Sequence, residues 1–430
     1  GQERIWSGAV GEAHPEGNVP ATPRTLYSIC SISKLFTSMA VMQLRDRGQL
    51  RLSDPIADHL PWYRMGEVEG SSPPVTIEGI LTHSAGLPRE SDHAYWSAPD
   101  FEFPTREEII EGLRNQRALY PAWRYFQYSN LGLTLAGEIV RERSGMPYAD
   151  YVRANILEPL GLADTRPEMP EAERGGRLAT GHSAIGRDGT RKPVPFFQAR
   201  GIAPAAGYSS TVEDLARFAA WQFGLEEGDA VLHPHTLQEM QRVHYVDPGW
   251  NTFWGLGFGV QRHDDRTLVG HGGSCPGYRS QLLLDMEDEI ATVIMANASG
   301  VNAGKFVRGM YDLVAPALRA LEDDDEAAAE AGEPGGTEPG PRLDDYVGTY
   351  SVQPWGGETA VVRWKGGLAL LPLPTDDPAE ALTRLEHVEA DAFRRIRDDD
   401  ELGESVVFER DGSGRVVRLR RFNNLYPRVR

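Results

Sequence analysis

Ser31-Ile32-Ser33-Lys34 places a hydroxyl and an amine three residues apart, where a long amphipathic helix is predicted to begin. Residues i and i+3 share a helix face, so the Lys34 amine can lie against the Ser31 hydroxyl. A serine alcohol becomes a good nucleophile once a neighbouring base takes its proton, and a desolvated lysine can be that base. A helix amino terminus adds partial positive charge near the developing alkoxide. Alone, the spacing is common, and an N-cap serine followed by a solvated lysine is the favoured reading of it. Leu35, Phe36, Met39, Val41, Met42 and Leu44 supply the apolar stripe, with Gly48 as C-cap.

Two segments farther along add weight. Tyr128-Ser129-Asn130 follows an aromatic loop, Tyr120 to Gln127, and precedes a predicted helix from Leu131 to about Arg143. A tyrosine near a lysine ammonium is expected to have a lowered pKa and to shuttle protons. An asparagine side chain can donate to a substrate carbonyl. Gly270-His271-Gly272-Gly273-Ser274 lies between a β-type stretch and a hairpin. Its glycines allow close backbone approach and leave N–H groups free as anion donors. Read singly, these are an aromatic cluster with an N-cap and a hairpin turn with a histidine.

In that order and at those separations, the three motifs resemble the serine β-lactamase and penicillin-binding-protein superfamily. The nearest branch is that of the class C β-lactamase-related hydrolases, with their esterases and peptidases. The segments Tyr27–Lys34, Ile80–Pro88, Pro159–Thr165, Ala206–Thr211 and Trp254–Phe258 are similar to family text as well, and the resemblance covers about residues 4–315. It implies an α/β (α+β) fold in which an antiparallel sheet is flanked by helices and a helical subdomain is inserted. It also implies Ser31 as nucleophile, Lys34 and Tyr128 as its base system, and Asn130, His271, Gly273 and Ser274 as substrate-binding residues. The backbone N–H groups of Ser31 and Ser274 would hold the oxyanion, and the reaction would be acyl transfer without a cofactor or metal.

Many relatives carry Lys-Thr-Gly or Lys-Ser-Gly at the third motif. Here His271-Gly272-Gly273 lacks the hydroxyl, and its charge is expected to follow histidine titration near neutral pH. Esters or small amide and peptide substrates are therefore expected, with weak or no β-lactamase activity. The alternatives are a D-amino-acid-directed peptidase or carboxypeptidase, and a non-catalytic penicillin-binding-like sensor. An α/β-hydrolase is excluded because no Gly-x-Ser-x-Gly elbow occurs.

The remaining composition narrows the field. The 430 residues carry a formal charge of −19, which argues against nucleic acid and anionic membrane surfaces as partners. No apolar run approaches a membrane span. His233-Pro234-His235 reads as a loop entering a helix, with a capping role ahead of metal binding. The two cysteines, Cys30 and Cys275, are read as small buried residues, with no disulfide framework. The opening Gly1-Gln2-Glu3 has neither an initiator methionine nor a signal-peptide pattern, so no compartment is assigned.

Three regions are expected: a hydrolase domain at 1–318, an acidic then Pro/Gly-rich linker at 319–342, and an all-β module at 343–430. The module opens with Tyr346-Val347-Gly348-Thr349-Tyr350 and is similar to the lipocalin-like domain appended to some family members. Arg4–Val10 reads as a strand, and 278–297 as two strands joined by an acidic turn. The main sheet is expected to draw on both ends of the hydrolase domain. A homo-oligomer in which the β-module covers a neighbour's cleft is a further expectation.

Overall fold

The helix beginning at Ser33 is buried on every side. It spans Ser33–Asp46 (α1), and every residue from Ser33 to Leu44 is buried, Lys34, Thr37, Ser38 and Gln43 included. The expected amphipathic helix is thus a central core helix, whose polar side chains face other protein groups. Gly48 takes φ 70° and its N–H reaches the Arg45 carbonyl at 2.9 Å, closing the helix as predicted. This computed structural model describes residues 4–66, 68, 72–224, 229–330, 342–351, 357–398 and 400–429. It divides into two compact units, Gly1–Glu326 and Ala327–Arg430.

In the first unit, α1 packs with Asn130–Ser144 (α2) and Val212–Phe223 (α3) around one large apolar cluster. Ser129 and Thr211 cap α2 and α3 through their side-chain oxygens. The principal sheet is a six-stranded antiparallel meander, each strand paired with the next. Its strands are Tyr245–Val246 (β1), Phe253–Trp254 (β2), Gly259–His263 (β3), Arg266–Cys275 (β4), Tyr278–Asp285 (β5) and Ile290–Ala296 (β6).

Alternation along β4 and β5 sends Val269, Cys275, Leu282 and Leu284 into the main core. Leu268 and Leu283 point to the other face, against Val307, Tyr311 and Ala315 of Ala303–Glu330 (α4). The sheet is therefore covered on both faces, as an antiparallel sheet flanked by helices requires.

Three expectations need correction. Arg4–Val10 forms no strand, because Ile5, Trp6 and Val10 are 68%, 74% and 96% exposed and have no surface to pack on. The amino-terminal residues pair only as a short hairpin, Glu12–His14 with Val19–Pro20, so the principal sheet comes from residues 245–296 alone. Cys30 and Cys275 are joined as a disulfide across 245 residues, with Cα atoms 5.7 Å apart. That span carries no spacing signal, which is why the pairing escaped the sequence reading. Finally, α4 continues through the acidic residues to Glu330, since Glu and Ala favour helix over coil. The Pro/Gly-rich part of the expected linker, 331–341, lies outside the described residues.

The second unit holds eight antiparallel strands in sequential order: Gly348–Ser351 (β7), Glu358–Trp364 (β8), Gly367–Leu373 (β9), Thr383–Glu389 (β10), Ala392–Ile396 (β11), Leu402–Arg410 (β12), Val416–Arg421 (β13) and Asn424–Pro427 (β14). A bridge from Tyr350 to Arg428 and a 2.7 Å bond from Val429 N–H to the Thr349 carbonyl bring the last strand back to the first, giving a nearly closed barrel. Tyr346, Tyr350, Phe393 and Phe408 fill its interior.

Candidate active site

Ser31 sits in a single 3₁₀ turn, Cys30–Ile32, wedged between a two-residue strand and α1. Cys30 is left-handed (φ 50°), and its carbonyl accepts from Ser33 Oγ at 2.5 Å. Ser33 Oγ in turn accepts from the Tyr208 N–H at 3.0 Å. The sharp turn is thus held from both sides, which puts Ser31 at the mouth of the helix.

Lys34, fully buried one turn on, lies 3.1 Å from Ser31 Oγ and donates to Asn130 Oδ1 at 2.7 Å and the Ala205 carbonyl at 2.7 Å. The last two groups only accept, so they take two hydrogens. The remaining position on Nζ, a lone pair in the neutral amine, faces the serine hydroxyl. Burial pushes the Lys34 pKa well below its ordinary value and Arg89 adds to this, while Glu90 opposes it.

The Asn130 amide is oriented by Glu90, whose carboxylate accepts from Nδ2 at 2.8 and 3.0 Å. Tyr95 and Arg89 hold that carboxylate in turn. Asn130 was expected to donate to substrate. Here its oxygen accepts from Lys34 and the two Glu90 oxygens share one Nδ2 hydrogen, so both partners orient the amide without taking its second hydrogen.

Tyr128 hydrogen-bonds Ser31, and its ring lies 4.8 Å from Lys34 Nζ and 4.9 Å from the Arg89 guanidinium. Its pKa is raised, not lowered as expected, because burial outweighs the Ser31 hydrogen bond and the nearby Arg89 charge. Tyr128 is therefore a phenol, and Lys34 is the group driven toward a neutral base. His271 is also corrected: burial, reinforced by Lys34, pushes its pKa down to about 3, so it is neutral where titration was expected.

Strand β4 delivers the third motif. Its pairing with β3 ends at Gly270, while β5 covers the other edge through Cys275. Gly273 presses on the nucleophile segment itself. A Cβ there would stand 2.2 Å from the Ile29 carbonyl oxygen and 2.1 Å from Ser280 Oγ. Gly273→Ala is accordingly expected to destabilise the fold by about 1–3 kcal/mol and to reduce turnover, read by chemical denaturation and ester hydrolysis. Wild-type values for both would refute the close-approach role. The Ser274 side chain is exposed, so any part it plays in an oxyanion site belongs to its backbone.

The structure thus brings Ser31, Lys34, Tyr128 and Asn130 together, with the His271 ring 6.1 Å from that of Tyr128, centre to centre. The sequence reading missed Glu90, the Ala205 carbonyl, and the rings of His83 and Trp254 beside Tyr128. His83 and Trp254 stood inside family-like segments without a role, and a carbonyl has no residue signature. His233 caps the helix Pro234–Gln241 by accepting from the His235 N–H, and no group of three metal-binding side chains occurs among the described residues. No described helix is long and apolar enough to cross a membrane.

Residues 1–317 match the family described as Beta-lactamase. Beta-lactamase-like protein 2 of Dictyostelium discoideum is 26% identical over 325 residues, which is 74% of this chain and 58% of that protein. The chain spans about six-tenths of the length of the first curated relatives it matches. Among solved structures, the octameric penicillin-binding protein homologue from Pyrococcus abyssi superposes with a TM-score of 0.63 at 24% identity, over 99% of this chain and 93% of that one. The D-amino acid amidase from Ochrobactrum anthropi SV3, complexed with L-phenylalanine amide, gives 0.58 at 27% identity, over 74% and 89%.

Proposed function

The chain belongs to the Beta-lactamase family, and on that premise we propose that it is a serine hydrolase that forms an acyl-enzyme on Ser31 and cleaves esters or small amide and peptide substrates. One observation carries this reading. Lys34 is fully buried, with two hydrogens committed to Asn130 and Ala205 and its remaining position turned to Ser31 Oγ. Ser31 attacks the substrate carbonyl while Lys34 takes its proton. The backbone N–H groups of Ser31 and Ser274 hold the tetrahedral oxyanion, a contribution of about 3–4 kcal/mol per donor where such sites have been dissected. The leaving group departs with a proton relayed through Lys34 and Tyr128, and water hydrolyses the acyl-enzyme.

The neutral His271 and the missing third-motif hydroxyl leave no fixed cation and hydroxyl for an antibiotic's carboxylate, so β-lactam hydrolysis is expected to be weak or absent. A D-amino-acid-directed peptidase or amidase is the second reading. The likeness to the D-amino acid amidase from Ochrobactrum anthropi SV3, at 27% identity over 74% of this chain, supports it. The same proposal takes 1–318 as the hydrolase domain and includes assembly of several copies, measurable by light scattering.

A fluorophosphonate probe followed by peptide mass spectrometry tests the reaction class. The expected result is a single adduct on Ser31, and no adduct on an otherwise folded protein would leave a ligand sensor as the better account. A panel of p-nitrophenyl esters, D-aminoacyl amides and D-alanyl peptides then separates the two enzymatic readings.

A further inference from the structure

The two N–H groups assigned to the oxyanion come from segments far apart in the chain. Ser31 lies in the turn Cys30–Ile32, and Ser274 lies near the end of β4. An oxyanion site works when its donors are held in advance, about 2.7–3.1 Å from the position the oxygen will take. The spacing of these two segments therefore bears directly on turnover.

Hydrogen bonds do not set that spacing. Beyond Gly270, β4 has β5 on one edge and, among the described residues, no strand on the other. Among the same residues, no hydrogen bond joins 29–32 to 271–275, and the nearest is Ser280 Oγ of β5 donating to the Ile29 carbonyl at 3.0 Å. The direct link is the bond from Cys30 to Cys275, whose Cα atoms are 5.7 Å apart. Cys30 precedes Ser31 and Cys275 follows Ser274, so the bond joins the immediate chain neighbours of both donors. Gly273, pressed on the Ile29 carbonyl, limits how near the two segments come. The disulfide limits how far they part.

The backbone of Cys30 points the same way. Its φ of 50° is left-handed, a conformation that a residue with a Cβ keeps only when its surroundings impose it. Ser33 Oγ restrains its carbonyl, and Cys275 restrains its side chain. The next N–H along the chain is that of Ser31, so the same restraint aims the donor.

We propose that the Cys30–Cys275 disulfide positions the oxyanion site, holding the Ser31 and Ser274 N–H groups at one spacing and aiming the first of them. The inference rests on the acyl-enzyme reading above. Cys30 and Cys275 are positioning residues, which act through the backbone of their neighbours.

Cys30→Ala/Cys275→Ala removes the bond and leaves no free thiol. The diagnostic is a matched pair of substrates, an ester and the thionoester with sulfur in place of its carbonyl oxygen. A site shaped for an oxyanion prefers oxygen, and that preference shrinks as the donors move. With the full chain, kcat for the ester is expected to fall about 10–100-fold, somewhat less than outright loss of one donor, with KM within about twofold of wild type. The oxygen-to-sulfur ratio of kcat/KM is expected to fall about tenfold. A disulfide that only stabilises the fold lowers the unfolding midpoint and scales both substrates equally, so an unchanged ratio overturns the proposal. So does a wild-type peptide map, run without reductant, that shows two free thiols in place of the linked peptide. If the double variant does not fold, Cys30→Ser and Cys275→Ser repeat the ratio test; failure of all three to fold overturns the proposal, leaving the bond a staple of the fold alone. Fluorophosphonate labelling of the wild type keeps the two readings apart. No adduct on Ser31 removes the acyl-enzyme and its oxyanion site together, whereas an adduct beside an unchanged ratio removes only the role of the disulfide.

Discussion

Lys34→Met is expected to lower kcat for ester hydrolysis by about 10³–10⁵-fold while leaving KM within a few-fold of wild type, the pattern of a group that acts only in the transition state. Methionine keeps the length and apolar stem of the side chain, so the loss is chemical rather than a cavity effect. The wild-type pH profile supports the same assignment in a different way. Burial depresses the Lys34 pKa, and in the proposed mechanism the neutral amine is the base. Activity is therefore fully present above that lowered pKa and falls as pH drops through it, well below the range of an ordinary lysine. His271, at about 3, contributes no limb between pH 5 and 8. A profile whose acid limb lies near 10.5 would refute the neutral lysine, and one that titrates near 6.5 and vanishes in His271→Asn would transfer the role to the histidine. Ser31→Ala is expected to cost at least as much as Lys34→Met, and the double variant no more than the worse single one, because nucleophile and base act as a unit.

The parts legible in the sequence are those set by local spacing. Ser31 and Lys34 share a helix face whatever surrounds them, and Ser129 is a readable N-cap for α2. The hairpin at 278–297 declared itself through two apolar runs and an acidic turn, and β5 and β6 fall inside it. What stayed hidden depends on contacts between distant segments. That burial lowers the Lys34 pKa and raises that of Tyr128 was not legible, because burial of a polar side chain leaves no trace in a local pattern.

The orientation of the Asn130 amide was equally hidden, since Glu90 and Lys34, both distant in the chain, set it. The barrel shows the same limit. Thr383–Glu389 has a single buried residue, Leu385, among charged neighbours, and Asn424–Pro427 is short and ends in proline. Both pair as strands because neighbouring strands demand it, not because their own alternation is strong.

Tyr128→Phe separates the two proton-transfer roles that the sequence reading merged. A phenol whose pKa is raised by burial does not serve as a base at neutral pH; in the proposed mechanism Tyr128 relays a proton to a poor leaving group and holds the Ser31 hydroxyl in place. The loss should therefore depend on the leaving group. For a p-nitrophenyl ester, whose phenolate departs without a proton, kcat/KM is expected to fall by no more than about tenfold, the equivalent of one hydrogen bond to Ser31. For an alkyl ester or an amide, whose leaving group must be protonated, the expected loss is about 10²–10⁴-fold. The Brønsted slope of kcat/KM against leaving-group pKa steepens in the variant as a result. Removing the base would act differently. Lys34→Met slows every substrate, because Ser31 must be deprotonated before any leaving group matters. A uniform loss in Tyr128→Phe across the series would put the tyrosine in the base role and make the buried lysine its electrostatic partner. A loss confined to poor leaving groups assigns the base to Lys34 and the relay to Tyr128.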